Sequence, residues 1–236
     1  MTFRRYLDQV TRLLAEVDES AIDAAAGRIA AAIADGRVLY VFGASHAGLL
    51  AQDLFYRAGG LAAIEPVLPA GLMLNERPVT RTSRLERLPG YGTALVEDTR
   101  IGSGDVVLVI SVSGRNPAAV EFAVAAKARG AEVLALTSLA YTRSVAPRAA
   151  ARLSEVADLV IDLPGAPGDA AVTIAPGVPP AGPTSTAIGS ALLQGLMVEV
   201  ATRLPDPPVF ASANIDGGDQ HNSRLLAAYR NRVSYA

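Results

Sequence analysis

Two stretches of this chain share one design: a short β-branched apolar run that breaks into a turn of small residues and then a helix. The first is Arg37-Val38-Leu39-Tyr40-Val41-Phe42-Gly43-Ala44-Ser45-His46. The second is Asp105-Val106-Val107-Leu108-Val109-Ile110-Ser111-Val112-Ser113-Gly114-Arg115-Asn116-Pro117. Apolar runs of strand length that alternate with helices belong to a parallel sheet buried on both faces. Such folds bind ligands beyond the carboxyl ends of their strands. Both serine turns fall there. A strand end that opens a helix also presents free backbone N–H groups and partial positive charge, which suit a small anion such as phosphate.

The pattern predicts strands over 37–42, 62–67, 105–110, 132–137 and 157–162. Helices are expected over 46–59, 83–98 with a break at Pro89-Gly90, 116–129 and 143–154. Asn116 as N-cap, Pro117 in the first turn and Gly130 after the end frame the third of these. Before the sheet, Phe3, Tyr6, Val10, Leu13 and Val17 recur at helical spacing. Ser20 with Asp23 resembles a capping box for a second helix that Gly36 closes. These two helices are expected to pack on their own domain or on a second subunit, dividing the chain into a helical segment 1–36 and one domain 37–236. Residues 163–183 read as a long Pro/Gly/Ala-rich loop, 184–203 as a helix, and 212–222 as a second long loop before a terminal helix.

Absences narrow the chemistry. The chain has no cysteine, which excludes disulfides, thiol catalysis and Cys-ligated zinc. Its single lysine, Lys127, lies late in a predicted helix, away from the serine turns, which argues against Schiff-base chemistry. A net charge of −2 without a basic run gives no footprint for nucleic acid. No segment has the roughly 20 unbroken apolar residues of a membrane span, and no apolar signal core follows Met1. A cytoplasmic protein is expected.

Gly43-Ala44-Ser45-His46-Ala47-Gly48 fails as a dinucleotide fingerprint, because Ser45 stands where the middle glycine must admit pyrophosphate. It approaches the nucleophile elbow of hydrolases, with Ala47 replacing the last glycine. The second turn favours a phosphate cradle instead, since a phosphate needs donors converging from several loops whereas an elbow needs one serine. Ser45, Ser111 and Ser113 supply hydroxyls, Gly43 and Gly114 shape the turns, and Asn116 can cap its helix and face the ligand. Ser138 and Ser185 are further candidate hydroxyls.

The Gly-x-Ser turn after the first strand, followed by Ser-x-Ser-Gly after a later one, resembles the sugar isomerase (SIS) domain over about residues 35–203. The resemblance extends to phosphoheptose isomerase-like proteins and to a SIS subfamily sharing Phe55-Tyr56-Arg57-Ala58-Gly59-Gly60. It implies a three-layer α/β/α sandwich around a five-stranded parallel sheet, with an N-terminal helical extension. It also implies a sugar phosphate held by Gly43, Ser45, Ser111, Ser113, Gly114 and Asn116, and a homodimer or homotetramer with the site near the subunit interface. The family's helix glutamate aligns nearest to Asp53; its companion histidine position holds Leu49. The late-helix histidine has no counterpart in 184–203, and the glutamate of glucosamine-phosphate synthase domains falls near Pro180.

An aldose–ketose isomerase moves a proton between adjacent carbons and needs an acid/base pair but no redox cofactor. Asp53, His221 and His46 are the candidates, with no metal and no cofactor expected. Alternatives are a non-catalytic phosphosugar sensor, a SIS-type sugar-phosphate lyase, and a serine hydrolase using Ser45.

Overall fold

The computed structural model describes residues 1–236. Five parallel strands form one sheet: β1 (Leu39–Gly43), β2 (Ile64–Val67), β3 (Val106–Ile110), β4 (Glu132–Thr137) and β5 (Leu159–Asp162), in the order β2-β1-β3-β4-β5. β1 pairs with β2 on one side and β3 on the other, Leu39 lying opposite both Ile64 and Val106. The chain therefore leaves β1 in one direction and returns to β3 in the other. The crevice between the ends of β1 and β3 is the topological switch point, where open α/β sheets bind ligands.

Alternate residues of the central strands feed two cores. Leu39, Val41, Leu108 and Leu134 pack toward α2 (Glu19–Ala34), α3 (His46–Leu54) and α9 (Ser185–Thr202). Tyr40, Phe42, Val107 and Val133 pack toward α5 (Tyr91–Glu97) and α6 (Pro117–Ala128). Phe42 stacks on Phe122 of α6 with ring centroids 4.2 Å apart. α2 shares the first of these cores, whereas α1 (Thr2–Leu14) buries only Leu13 and leaves Phe3 exposed. Asp18, rather than Ser20, caps α2 by accepting from the Ser20 N–H at 2.9 Å.

Several predicted elements are shorter or differently divided. Residues 80–98 form α4 (Thr80–Leu85) and α5, separated at Pro89-Gly90, with Gly90 at φ 82°. The predicted helix 143–154 resolves into α7 (Leu139–Ser144) and α8 (Leu153–Val156), and the segment between is extended or turned around Pro147. The 163–183 loop carries a small antiparallel hairpin of β6 (Ala170–Val172) and β7 (Ala181–Pro183). The terminal helix α10 (Gly218–Tyr229) begins inside the second predicted loop.

The Phe55–Gly60 stretch has a structural role. The Gly59 N–H donates to Phe210 O, the Ala62 N–H to Pro208 O and the Phe210 N–H to Gly60 O, at 2.8–2.9 Å. The chain after α9 is thereby fastened beside the edge strand β2.

Candidate functional site

A cavity of about 240 Å³ opens at the switch point and is lined by both serine turns. Ser45 and His46 enter it from the end of β1, and Ser111, Ser113 and Asn116 from the end of β3. Ser45 precedes α3, and Asn116 precedes α6. Neither uses its side chain to cap its helix, so the N-termini of both helices face the cavity without a side-chain acceptor. The hydroxyls of Ser45, Ser111 and Ser113 have no partner in the chain and are not sealed from solvent. Three free hydroxyls and two helix ends without side-chain caps converge here, although at α6 Pro117 has no N–H and the Ala118 N–H already donates to Glu86 O at 3.1 Å.

The backbone that presents them is constrained. Ser45 has φ 56° and ψ −124°, outside the regions L-residues favour, and its N–H donates to Leu72 O at 2.7 Å. Gly43 lies behind it, where a Cβ would come within 2.5 Å of Ala47 O, so glycine allows α3 to start tightly against β1. Gly114 has φ 57°, and a Cβ there would meet Thr137 Oγ1 at 2.9 Å. Gly43 and Gly114 therefore shape the cradle without lining it.

A third helix end meets the same cavity and is already capped. Asp169, at the start of the hairpin with φ 61°, accepts from the Ser185 N–H at 2.8 Å, the Ser185 hydroxyl at 2.6 Å and the Thr184 N–H at 3.1 Å. The predicted Ser185 does line the cavity, with its hydroxyl engaged by this carboxylate. The Asp169 carboxylate thus plugs the α9 terminus, whereas the α3 and α6 ends hold no side-chain acceptor.

Glu86 is the other carboxylate of the lining. Burial raises its pKa, opposed by the hydrogen bond from Asn116 and by the charges of Arg87, Arg148 and His46. The Asn116 Nδ2 group donates to Glu86 Oε2 at 2.8 Å, and Asn116 Oδ1 accepts from Arg148 at 3.0 Å. Asn116 thus stands at the N-cap position but spends its side chain on this bridge. Neither Glu86 nor Asp169 was accessible to pattern reasoning: one follows a helix of six residues, the other sits in a segment read as loop.

The remaining predicted residues lie elsewhere. Asp53 does not line the cavity; it faces α9, accepting from Ser190 Oγ at 2.7 Å and Gln194 Nε2 at 2.9 Å, and pairs with Arg57. His221 is exposed on α10 with Nε2 2.9 Å from Val209 O, and it too lies outside the lining. Of the glycines that made its loop look functional, Gly217 serves the turn and Gly218 the packing. Gly217 takes φ 82°, and a Cβ on Gly218 would fall 2.0 Å from Ser212 O. Ser138 caps α7, accepting from the Tyr141 N–H at 3.4 Å. No three His, Asp or Glu side chains gather as a metal-ligand set, and no helix is long and apolar enough to cross a membrane.

The chain resembles known proteins along most of its length. A family profile described as SIS domain matches residues 5–138. The UPF0309 protein of Shouchella clausii is 45% identical over 240 residues, covering 98% of each chain. Among solved structures, a phosphoheptose isomerase from Neisseria gonorrhoeae aligns with a TM-score of 0.54 at 15% identity, covering 84% of this chain and 92% of that one. The Vibrio vulnificus NanR protein, complexed with ManNAc-6P, aligns with a TM-score of 0.51 at 13% identity, covering 96% of this chain and 67% of that one. At these identities the structural matches speak to the fold, and the fold, the residue 5–138 match and the full-length relative together place this chain in the SIS domain family.

Proposed function

We propose that this protein binds a sugar phosphate in the switch-point cavity, its phosphate capping the α3 and α6 N-termini and taking hydrogen bonds from Ser45, Ser111 and Ser113. The observation that carries the reading is the convergence of three unpartnered hydroxyls and two uncapped helix ends on one cavity. A phosphate there acquires charge-assisted hydrogen bonds from several directions. The SIS neighbours named as a phosphoheptose isomerase and as a ManNAc-6P complex agree with that ligand class.

We further propose aldose–ketose isomerisation through an enediol-type proton transfer, with Glu86 and His46 as the acid/base pair. Both line the cavity. A carboxyl whose pKa is raised by burial holds a proton more readily than a free carboxylate, as a group that takes and returns a proton needs. Asp53 and His221 would act on chemistry only by reaching another subunit's cavity. A homo-oligomer with the site near its interface remains part of the proposal, and the exposed Phe3 of α1, Leu49 of α3 and Val198 of α9 offer apolar surface for it. The alternative is phosphosugar sensing without turnover, and a lyase would use the same cradle.

Exchange of the α-proton of ketose and aldose phosphates with solvent deuterium, followed by NMR, tests the catalytic reading. Exchange that disappears in Glu86→Gln while binding persists supports it. Tight sugar-phosphate binding with no exchange in the wild type leaves the sensor or lyase reading.

A further inference from the structure

Two residues of the cavity lining, Glu86 and Asn116, are adjoined by arginines that do not themselves line it. Asn116 holds the Arg148 guanidinium at 3.0 Å, and the Arg148 N–H donates to Arg115 O at 2.9 Å. Arg87 directly follows Glu86, which Asn116 binds from its other end. Arg87, Arg115 and Arg148 thus gather as a rim beside Glu86 and Asn116, outside the cavity lining, although they come from three separate segments. Desolvation and the like charges of Arg115 and Arg87 lower the Arg148 pKa.

None of the three forms an ion pair within 4.0 Å, a feature they share with most arginines of the chain. The Arg115 Nε is buried with no hydrogen-bond partner. Glu86 is the carboxylate that faces them, and burial favours its neutral form. Three guanidiniums around the single carboxylate of Glu86 leave net positive charge, and a buried donor left unpaired is costly. An arrangement of this kind is stabilised when an anion occupies it.

We infer that the rim of Arg87, Arg115 and Arg148 receives a second acidic group of the ligand, a carboxylate or a second phosphate, in addition to the phosphate held by the serine turns. The inference rests on the phosphosugar reading of the serine cradle and narrows it to doubly acidic sugars. Ser113 and Asn116 are three residues apart, at most about 10 Å of chain. One ligand can therefore reach Ser113 and, past Asn116, the neighbouring Arg115 and Arg148 together.

The test is calorimetric titration of the purified full-length protein with inorganic phosphate, fructose 6-phosphate, fructose 1,6-bisphosphate and 6-phosphogluconate at physiological salt. At least one doubly acidic ligand is expected to bind tenfold or more tighter than fructose 6-phosphate. The advantage should collapse to less than threefold in Arg87→Ala/Arg148→Ala, with fructose 6-phosphate affinity changed less than threefold. Both side chains are exposed, so the variant should fold, and its melting temperature checks that. Arg143→Ala, an exposed arginine outside the cluster, should leave the advantage intact. A gain confined to 6-phosphogluconate identifies a carboxylate subsite, and one confined to the bisphosphate a second phosphate subsite. Binding of phosphate or fructose 6-phosphate with no advantage for either diacid overturns the inference alone, as does an advantage that survives the double substitution. No binding of any of the four ligands overturns the phosphosugar reading as well.

Discussion

Replacing Ser45 by glycine separates what the residue costs the fold from what it gives the site. Its backbone lies at φ 56° and ψ −124°, a conformation that costs an L-residue about 1–3 kcal/mol and glycine almost nothing. Glycine also adds freedom to the unfolded chain, which offsets about 0.5–1 kcal/mol. The net expectation for Ser45→Gly is a gain of about 0.5–2 kcal/mol, or roughly 1–8 °C in Tm for a domain of this size. Ser45→Ala keeps the strained backbone and removes a hydroxyl with no partner in the chain, so its stability should stay within about 0.5 kcal/mol of wild type. Both variants lose one hydrogen bond to a charged phosphate, about 1.5–3 kcal/mol, and should bind sugar phosphate roughly 10- to 150-fold more weakly. Chemical denaturation gives the stabilities, and calorimetric titration the affinities. A glycine variant less stable than the alanine variant would refute the strain argument. Wild-type affinity in both would remove Ser45 from the cradle.

Other perturbations follow from the same geometry. Gly114→Ala meets a positive φ and a contact of 2.9 Å with the fully buried Thr137 hydroxyl, which is tied to Thr142 at 3.2 Å; a loss of about 2–4 kcal/mol is expected in urea unfolding. Asp169→Ala removes the acceptor of four hydrogen bonds at the α9 terminus and should cost about 2–4 kcal/mol by the same measurement, with loss below 1 kcal/mol counting against the plug. For Glu86, burial raises the pKa of the folded state, so the native protein binds this proton more tightly than the unfolded chain does. Stability from this group is therefore present at low pH and lost as pH rises from the ordinary carboxylate value through the raised one. Glu86→Gln, which can still accept from Asn116, should melt at or above the wild-type temperature at pH 7, and thermal scans should show the difference shrinking below about pH 4.

The sheet was legible because its signal is local. The Val-Val-Leu-Val-Ile run of β3 is apolar at every position, as a strand buried on both faces must be, and Gly43, Ser45 and the Ser111–Asn116 turn mark where strands give way to helices. Strand order and the partners of each side chain are non-local, and there the pattern runs out. Asp53 matches a helix position in sequence, but α9 supplies Ser190 and Gln194 from 137 and 141 residues away and claims its carboxylate. The Gly-Gly before His221 suggests a binding loop, while the close approach of Ser212 O to Gly218 makes it a packing device. Glu86 and Asp169 reach the cavity only because short elements bend there. Neither stands in a motif. The three arginines of the rim come from separate segments, so no basic run announces them.

³¹P NMR titration of inorganic phosphate into wild type and Ser111→Ala/Ser113→Ala tests the claim that the serine turns hold a phosphate, even for weak binding. Neither hydroxyl has a partner in the chain, so the two proteins should melt alike. Saturable binding by wild type, weakened at least tenfold in the double variant, is the predicted result. No binding to wild type, or equal binding to both, would contradict the claim.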